Sequence, residues 1–183
     1  RAAWRMNTAA ASTGGAAARA QRVALARELL HKAPQAAAAL DWDALSRAPG
    51  WLALPEAERA HFTRRVGSVM LAPALRLWIS APRVAAAREA VGADWWAALQ
   101  LHNDWPALPN GMATWPDGGD AAGVGELMRM AGASVLQALL PHGALRHAAA
   151  ALLAPAAPFV MPAQQAQAVV QATWALAQGL VPR

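Results

Sequence analysis

Apolar positions along this chain recur at intervals of three and four residues, the period of a helix face and not the alternation of a half-buried strand. The clearest run opens at Leu54-Pro55-Glu56-Ala57-Glu58, and Phe62, Val66, Val69 and Met70 follow at i, i+4, i+7 and i+8. They form one stripe that a neighbouring element must cover. Proline suits the first helical turn, where its missing N–H would be unpaired anyway. Glu56 and Glu58 complement the positive end of the helix dipole. Gly67 sits inside this helix, where glycine costs about 1 kcal/mol relative to alanine, so close packing of another helix is expected there. Arg59, Arg64 and Arg65 are expected mostly off the stripe. Pro73 predicts a kink or a restart, with Leu75, Leu77, Trp78 and Ile79 continuing the apolar segment.

The same reading extends along the chain. Residues 1–15 are small and polar and predict a flexible tail, followed by a single helical domain over 16–183. A helix is predicted from Ala16 to Ala33, ended by Pro34, and a second from Gln35 to Ala48, ended by Pro49-Gly50. Ser80 and Pro82 start a helix that carries Val84, Ala87 and Val91 on one face and stops at Gly92. Asp94 is a candidate N-cap for the next helix, with Trp95 and Leu99 on one side. Residues 103–122 hold Trp105-Pro106, Pro109-Asn110-Gly111, Trp115-Pro116 and Asp117-Gly118-Gly119, a long loop of the kind that often carries function. Helix resumes over Asp120–Leu140, Ala144–Leu153 and Pro162–Leu180. The glutamines at 164, 167, 171 and 178 oppose a face of Val169, Val170, Thr173, Leu176 and Leu180. The fold class is therefore all-α: a compact single-domain bundle of roughly six to nine helices, several kinked or started by proline. Phe62, Val66, Val69, Leu75, Trp78, Val84, Val91 and Leu99 are expected to be buried together.

Composition sharpens this picture. The chain of 183 residues is 56% hydrophobic and 15% charged, enough apolar content for one real core. Alanine, the best helix former, is abundant. Strand-favouring Phe and Tyr are nearly absent, with two and none. The absence of cysteine excludes disulfides, thiolate catalysis and zinc–thiolate sites. Residues 1–92 carry 13 basic and 6 acidic side chains, and residues 93–183 carry 3 and 5. A basic first half suggests an acidic partner. Its arginines are dispersed, with Arg64-Arg65 the sole adjacent pair, which suits protein contact better than nucleic acid. The uncharged stretch from His147 to Pro182 is interrupted by Pro155, Pro158 and Pro162 and filled with glutamine, so no membrane span is expected.

Catalytic signatures are missing. No pair among His31, His61, His102, His142 and His147 has the i, i+4 spacing of a helical zinc site. Gly123-Val124-Gly125 lacks the Gly-Lys-Ser/Thr ending of a phosphate loop, and no nucleophile elbow is present. Asp41, Asp43, Glu56 and Glu58 read as cap and first-turn charges. No catalytic, cofactor-binding or metal residue is assigned. The candidate partner-contact residues are Arg59, Arg64, Arg65, Arg83 and Arg88, together with Trp105 and Trp115 in the long loop.

One resemblance adds to these readings. Val66-Gly67, Leu71 to Ile79, Arg83 to Gly92 and Asp94-Trp95-Trp96 fall in an order that resembles the K-subunit adaptors of bacterial type III secretion, the SctK/YscK group, similar to OrgA, MxiK and Hrp-type counterparts. It covers about 50 residues, from Leu52 to Leu101. It implies an all-helical, non-enzymatic cytoplasmic protein without cofactor, peripheral at the inner-membrane face of a secretion apparatus. Such a protein would link the Q-type pod protein of the sorting platform to the cytoplasmic domain of the D-type ring protein. The alternative is the small-molecule-binding helical domain of a regulator-like protein, with tryptophans lining its pocket. An all-α enzyme is a third reading, disfavoured by the missing constellation.

Overall fold

In a computed structural model the described residues are 14–103, 105, 121–141, 143–153 and 161–179. Among them the regular structure is helical throughout, with no strand. In chain order the helices are α1 (Gly14–Lys32), α2 (Pro34–Ala37), α3 (Trp42–Ser46), α4 (Glu56–Leu75), α5 (Ala81–Val91), α6 (Ala93–Leu101), α7 (Val124–Leu139), α8 (Ala144–Ala149) and α9 (Ala163–Gly179). Short 3-10 turns at Gly50–Ala53 and Ala121–Gly123 lead into α4 and α7.

The central pair is α4 and α7. A β-carbon built on Gly67 would fall 1.8 Å from the Met128 carbonyl oxygen, and one built on Gly132 would fall 1.8 Å from that of Thr63. Only hydrogen fits at either point, so the two backbones touch. This is the close approach that Gly67 foretold, and Gly132 is its partner on α7. Helix α9 lies against both α4 and α7, while α5 packs on α4, α6 and α7. At the N-terminal end α1 contacts α2, α3 and the first 3-10 turn, and α2 meets α8. The buried apolar side chains form one contiguous cluster.

Within that core Phe62, Val66, Val69, Leu75, Val91 and Leu99 are buried, whereas Trp78 and Val84 are half-buried against its edge. Trp95 is buried, and its indole N–H donates to the Ser68 hydroxyl at 2.9 Å. Several element boundaries differ from expectation. Pro73 neither ends nor restarts α4. It lies within the last turn, and Arg76 and Leu77 close the end by bonding to the Ala72 and Ala74 carbonyls. The segment 35–48 is two short helices, because the Asp41 carboxylate caps α3 by accepting the Ala44 N–H at 2.6 Å. Gly92, with φ +93°, ends α5 and also stands as the N-cap of α6. Asp94 therefore lies in the first turn of α6 and not at its cap. Gly14 and Gly15 already belong to α1, while residues 1–13 of the expected tail lie outside the described residues, as do Asp104 and 106–120 of the long loop. Among the described residues no helix is long and apolar enough to cross a membrane.

Candidate functional site

The arginines of α4 share a helix but not an environment. Arg59 is only 2% exposed. Its guanidinium forks onto both carboxylate oxygens of Glu28 on α1, with Nη1 to Oε2 at 3.1 Å and a close contact from Nη2 to Oε1. Nη1 also donates to the Leu54 carbonyl at 2.7 Å and the Leu52 carbonyl at 3.2 Å. Arg59 is thus an internal clasp between α1 and the start of α4, not the partner contact expected for it. Periodicity held the signal: Arg59, Phe62, Thr63 and Val66 are i, i+3, i+4 and i+7 of one buried face. Glu28, its counter-ion, carried no local signal.

Arg65 is half-buried. Its guanidinium lies 4.8 Å from the Trp95 ring centre, and Nε donates to the Val91 carbonyl at 3.5 Å, at the negative end of α5. Burial lowers its pKa from the ordinary arginine value. Arg64 lines an open cleft of about 500 Å³ with Ala86, Glu89, Ala90, Gly125 and Glu126. Glu126 is itself forked onto Arg129 at 2.8 and 2.6 Å. Arg83 is held 5.8 Å over the Trp78 ring. Arg88, in the last turn of α5, is exposed. Trp105 is half-buried with its ring edge-on to His102 at 4.7 Å, and Trp115 lies outside the described residues. The structure therefore leaves Arg88 exposed, Arg64 half-buried beside an open cleft, Arg65 and Arg83 over tryptophan rings, and Arg59 inside.

Two exposed apolar places were not singled out from sequence. Leu30 and Trp42 stand at the surface of the N-terminal helices, with Arg22 over the Trp42 ring at 5.6 Å. Leu77, Ile79 and Leu101 stand at the corner between α4, α5 and α6. The Leu77-Trp78-Ile79 run, apolar in sequence, lies beyond the helix, with Leu77 and Ile79 exposed and Trp78 half-buried against the core.

His61, half-buried on α4, is the titratable group most clearly set by this environment. Desolvation lowers its pKa below the ordinary 6.5, reinforced by Arg65 and then Arg64. The unfolded chain therefore binds the His61 proton at higher pH than the folded one does. The stability contributed by the neutral imidazole is complete above pH 6.5 and is lost as pH falls toward the lowered folded value. Glu56, lowered from 4.5 by its bond to Lys32, acts only further into acid. The melting temperature should fall between pH 6.5 and 4.5, and His61→Gln should flatten that slope; equal slopes in thermal melts would show that His61 does not set it.

No group of three or more metal-ligating side chains occurs among the described residues. No protein-family model matches the chain, and neither curated proteins nor solved structures provide a match.

Proposed function

We propose that this protein is a non-enzymatic adaptor that works through its surfaces, and more specifically a K-type adaptor of a type III secretion system. In this reading it is cytoplasmic, stands at the inner-membrane face of the apparatus, and uses no cofactor. It joins the Q-type pod protein of the sorting platform to the cytoplasmic domain of the D-type ring protein. The observation that carries the proposal lies in the stretch of the resemblance, Leu52 to Leu101. That stretch supplies the spine of the core through α4, α5 and α6 and also presents the exposed Arg88 and the open cleft beside Arg64 at the surface. An adaptor needs such contact surfaces and no reactive centre. The small-molecule reading finds less support. Trp51, Trp95 and Trp96 are buried in the core, and the cleft beside Arg64 is lined by alanines, a glycine and charges, without tryptophan.

Binding of the purified protein to isolated pod and ring domains tests the assignment. Saturable binding to both is expected, and binding to neither would reject it. Arg64→Glu combined with Arg88→Glu should weaken binding mainly through the association rate, more so at low salt, with the fold intact. Arg65→Glu is a poorer probe, because it would also remove the guanidinium from the Trp95 face. Tight, salt-sensitive binding to random DNA would favour a nucleic-acid partner instead.

A further inference from the structure

The corner between α4, α5 and α6 carries the most exposed large apolar side chains among the described residues. Leu77 is 80% exposed, Ile79 98% and Leu101 81%. Helix α4 ends at Leu75, a turn over Arg76 and Leu77 closes it, and helix does not resume before Ala81. Leu77 and Ile79 are left exposed on this connection, while Trp78 packs half-buried against the core. Leu101 ends α6 beside them: Arg76 Nη1 donates to the carbonyl of His102 at 3.3 Å. Ala81 and Pro82, both exposed, continue the apolar surface into α5.

Shape and charge together select the occupant. Side chains this exposed stand proud of the surface and do not line a groove. A partner helix would find no walls to grip, whereas a fluid apolar layer closes around protruding side chains from every side. Between Glu58 and Glu89 every charged side chain is basic. On α6 Asp94 lies in the first turn, at the end opposite Leu101, and Asp104 lies outside the described residues. Arg76 is exposed next to Leu77, and Arg83 lies over the Trp78 ring. Helix α9, which packs against α6, has no Asp, Glu, Lys or Arg. Aliphatic tips beside arginine and an amphipathic tryptophan are the makings of an interfacial anchor, and arginine is drawn to the negative potential of anionic lipids.

We propose that this corner docks the protein reversibly on the anionic surface of a lipid bilayer. Leu77, Ile79 and Leu101 enter the headgroup boundary, and Arg76 meets lipid phosphates. This goes beyond the adaptor reading and does not depend on it.

The chain has no cysteine, so Ala81→Cys provides a unique site for an environment-sensitive fluorophore while leaving the aliphatic tips in place. Ser46→Cys, exposed on α3, is the control. Each labelled protein is titrated with phosphatidylglycerol/phosphatidylethanolamine vesicles and with phosphatidylcholine vesicles. The probe at position 81 should brighten and shift to the blue with the anionic vesicles alone, the probe at 46 should not respond, and salt should weaken the binding. Leu77→Ser with Ile79→Ser should reduce vesicle partitioning at least about tenfold with an unchanged melting temperature, and Arg76→Glu should reduce it as well. Water-like emission at 81 in excess anionic lipid, equal responses at 81 and 46, equal binding to neutral vesicles, or binding that survives the double substitution would each overturn the proposal. A blue shift that depends on protein concentration without lipid would also overturn it, by assigning the corner to a second copy of the chain. Because pod and ring binding is measured separately, failure here and failure of the adaptor reading are distinguishable.

Discussion

Gly67→Ala and Gly132→Ala should each destabilise the protein by about 3 kcal/mol, the upper end of the range for overpacking a core. A new methyl at either site would sit 1.8 Å from a main-chain carbonyl oxygen of the facing helix. A flexible side chain could swing aside, but a helix backbone cannot. Relief therefore requires α4 and α7 to separate along the contact that organises the core. The intrinsic gain of alanine over glycine in a helix, about 1 kcal/mol, offsets only part of that cost. Gly125→Ala is the internal control on the same helix. Its methyl would meet only the Ala90 β-carbon, at an ordinary 3.6 Å, so the substitution should be neutral or stabilising by up to about 1 kcal/mol. Denaturant unfolding of the three variants separates the cases. If Gly67→Ala and Gly132→Ala proved as benign as Gly125→Ala, the backbone contact between α4 and α7 would be refuted.

Removing either half of the Glu28–Arg59 clasp should cost about 3 kcal/mol. Arg59→Leu leaves the Leu52 and Leu54 carbonyls without their donor and strands Glu28 at the edge of the core. Glu28→Gln leaves a buried guanidinium with two carbonyls and no counter-charge. Glu28 keeps 26% side-chain exposure, so water softens its loss more than that of Arg59, and Arg59→Leu should be the worse of the two. The double variant should lose clearly less than the two single losses added, since one interaction is being removed twice. A surface contact for a partner would behave otherwise. It would leave the melting temperature where it was and change binding alone. Thermal melts of the cycle decide between these roles, and additive or negligible losses would exclude the clasp.

How far the sequence could be read follows from the range of the interactions involved. Helix starts and stops rest on neighbours within a turn or two, and several were legible: Pro34 ending α1, Glu56 and Glu58 in the first turn of α4, and Gly92 ending α5. Where two local signals competed, the reading slipped. Pro73 removes its own bond to the preceding turn and crowds that turn's carbonyl, yet α4 continues two residues past it to Leu75. Asp94 is a good cap residue, but Gly92 had already set the start of α6 by its positive φ.

The charged residues mark the same boundary more sharply. From composition alone Arg59, Arg64, Arg65, Arg83 and Arg88 look alike. Their different environments arise from residues 26 to 31 positions away, or further: Glu28 for Arg59, Val91 and Trp95 for Arg65, and the α7 N-terminus for Arg64. Apart from the place of Arg59 on the buried face of α4, no local pattern holds that information.

By itself the sequence determined an all-helical protein, the stripe that runs from Phe62 to Met70, and a glycine in α4 that called for a close neighbour, because helix period and propensity act within one segment. Tertiary structure alone decided that Gly132 supplies that neighbour, that Glu28 takes Arg59 out of the surface, and that Leu77, Ile79 and Leu101 are left exposed where Arg76 ties the end of α4 to the end of α6. Each depends on which segments come together in space, and burial, charge pairing and exposure are properties of that meeting.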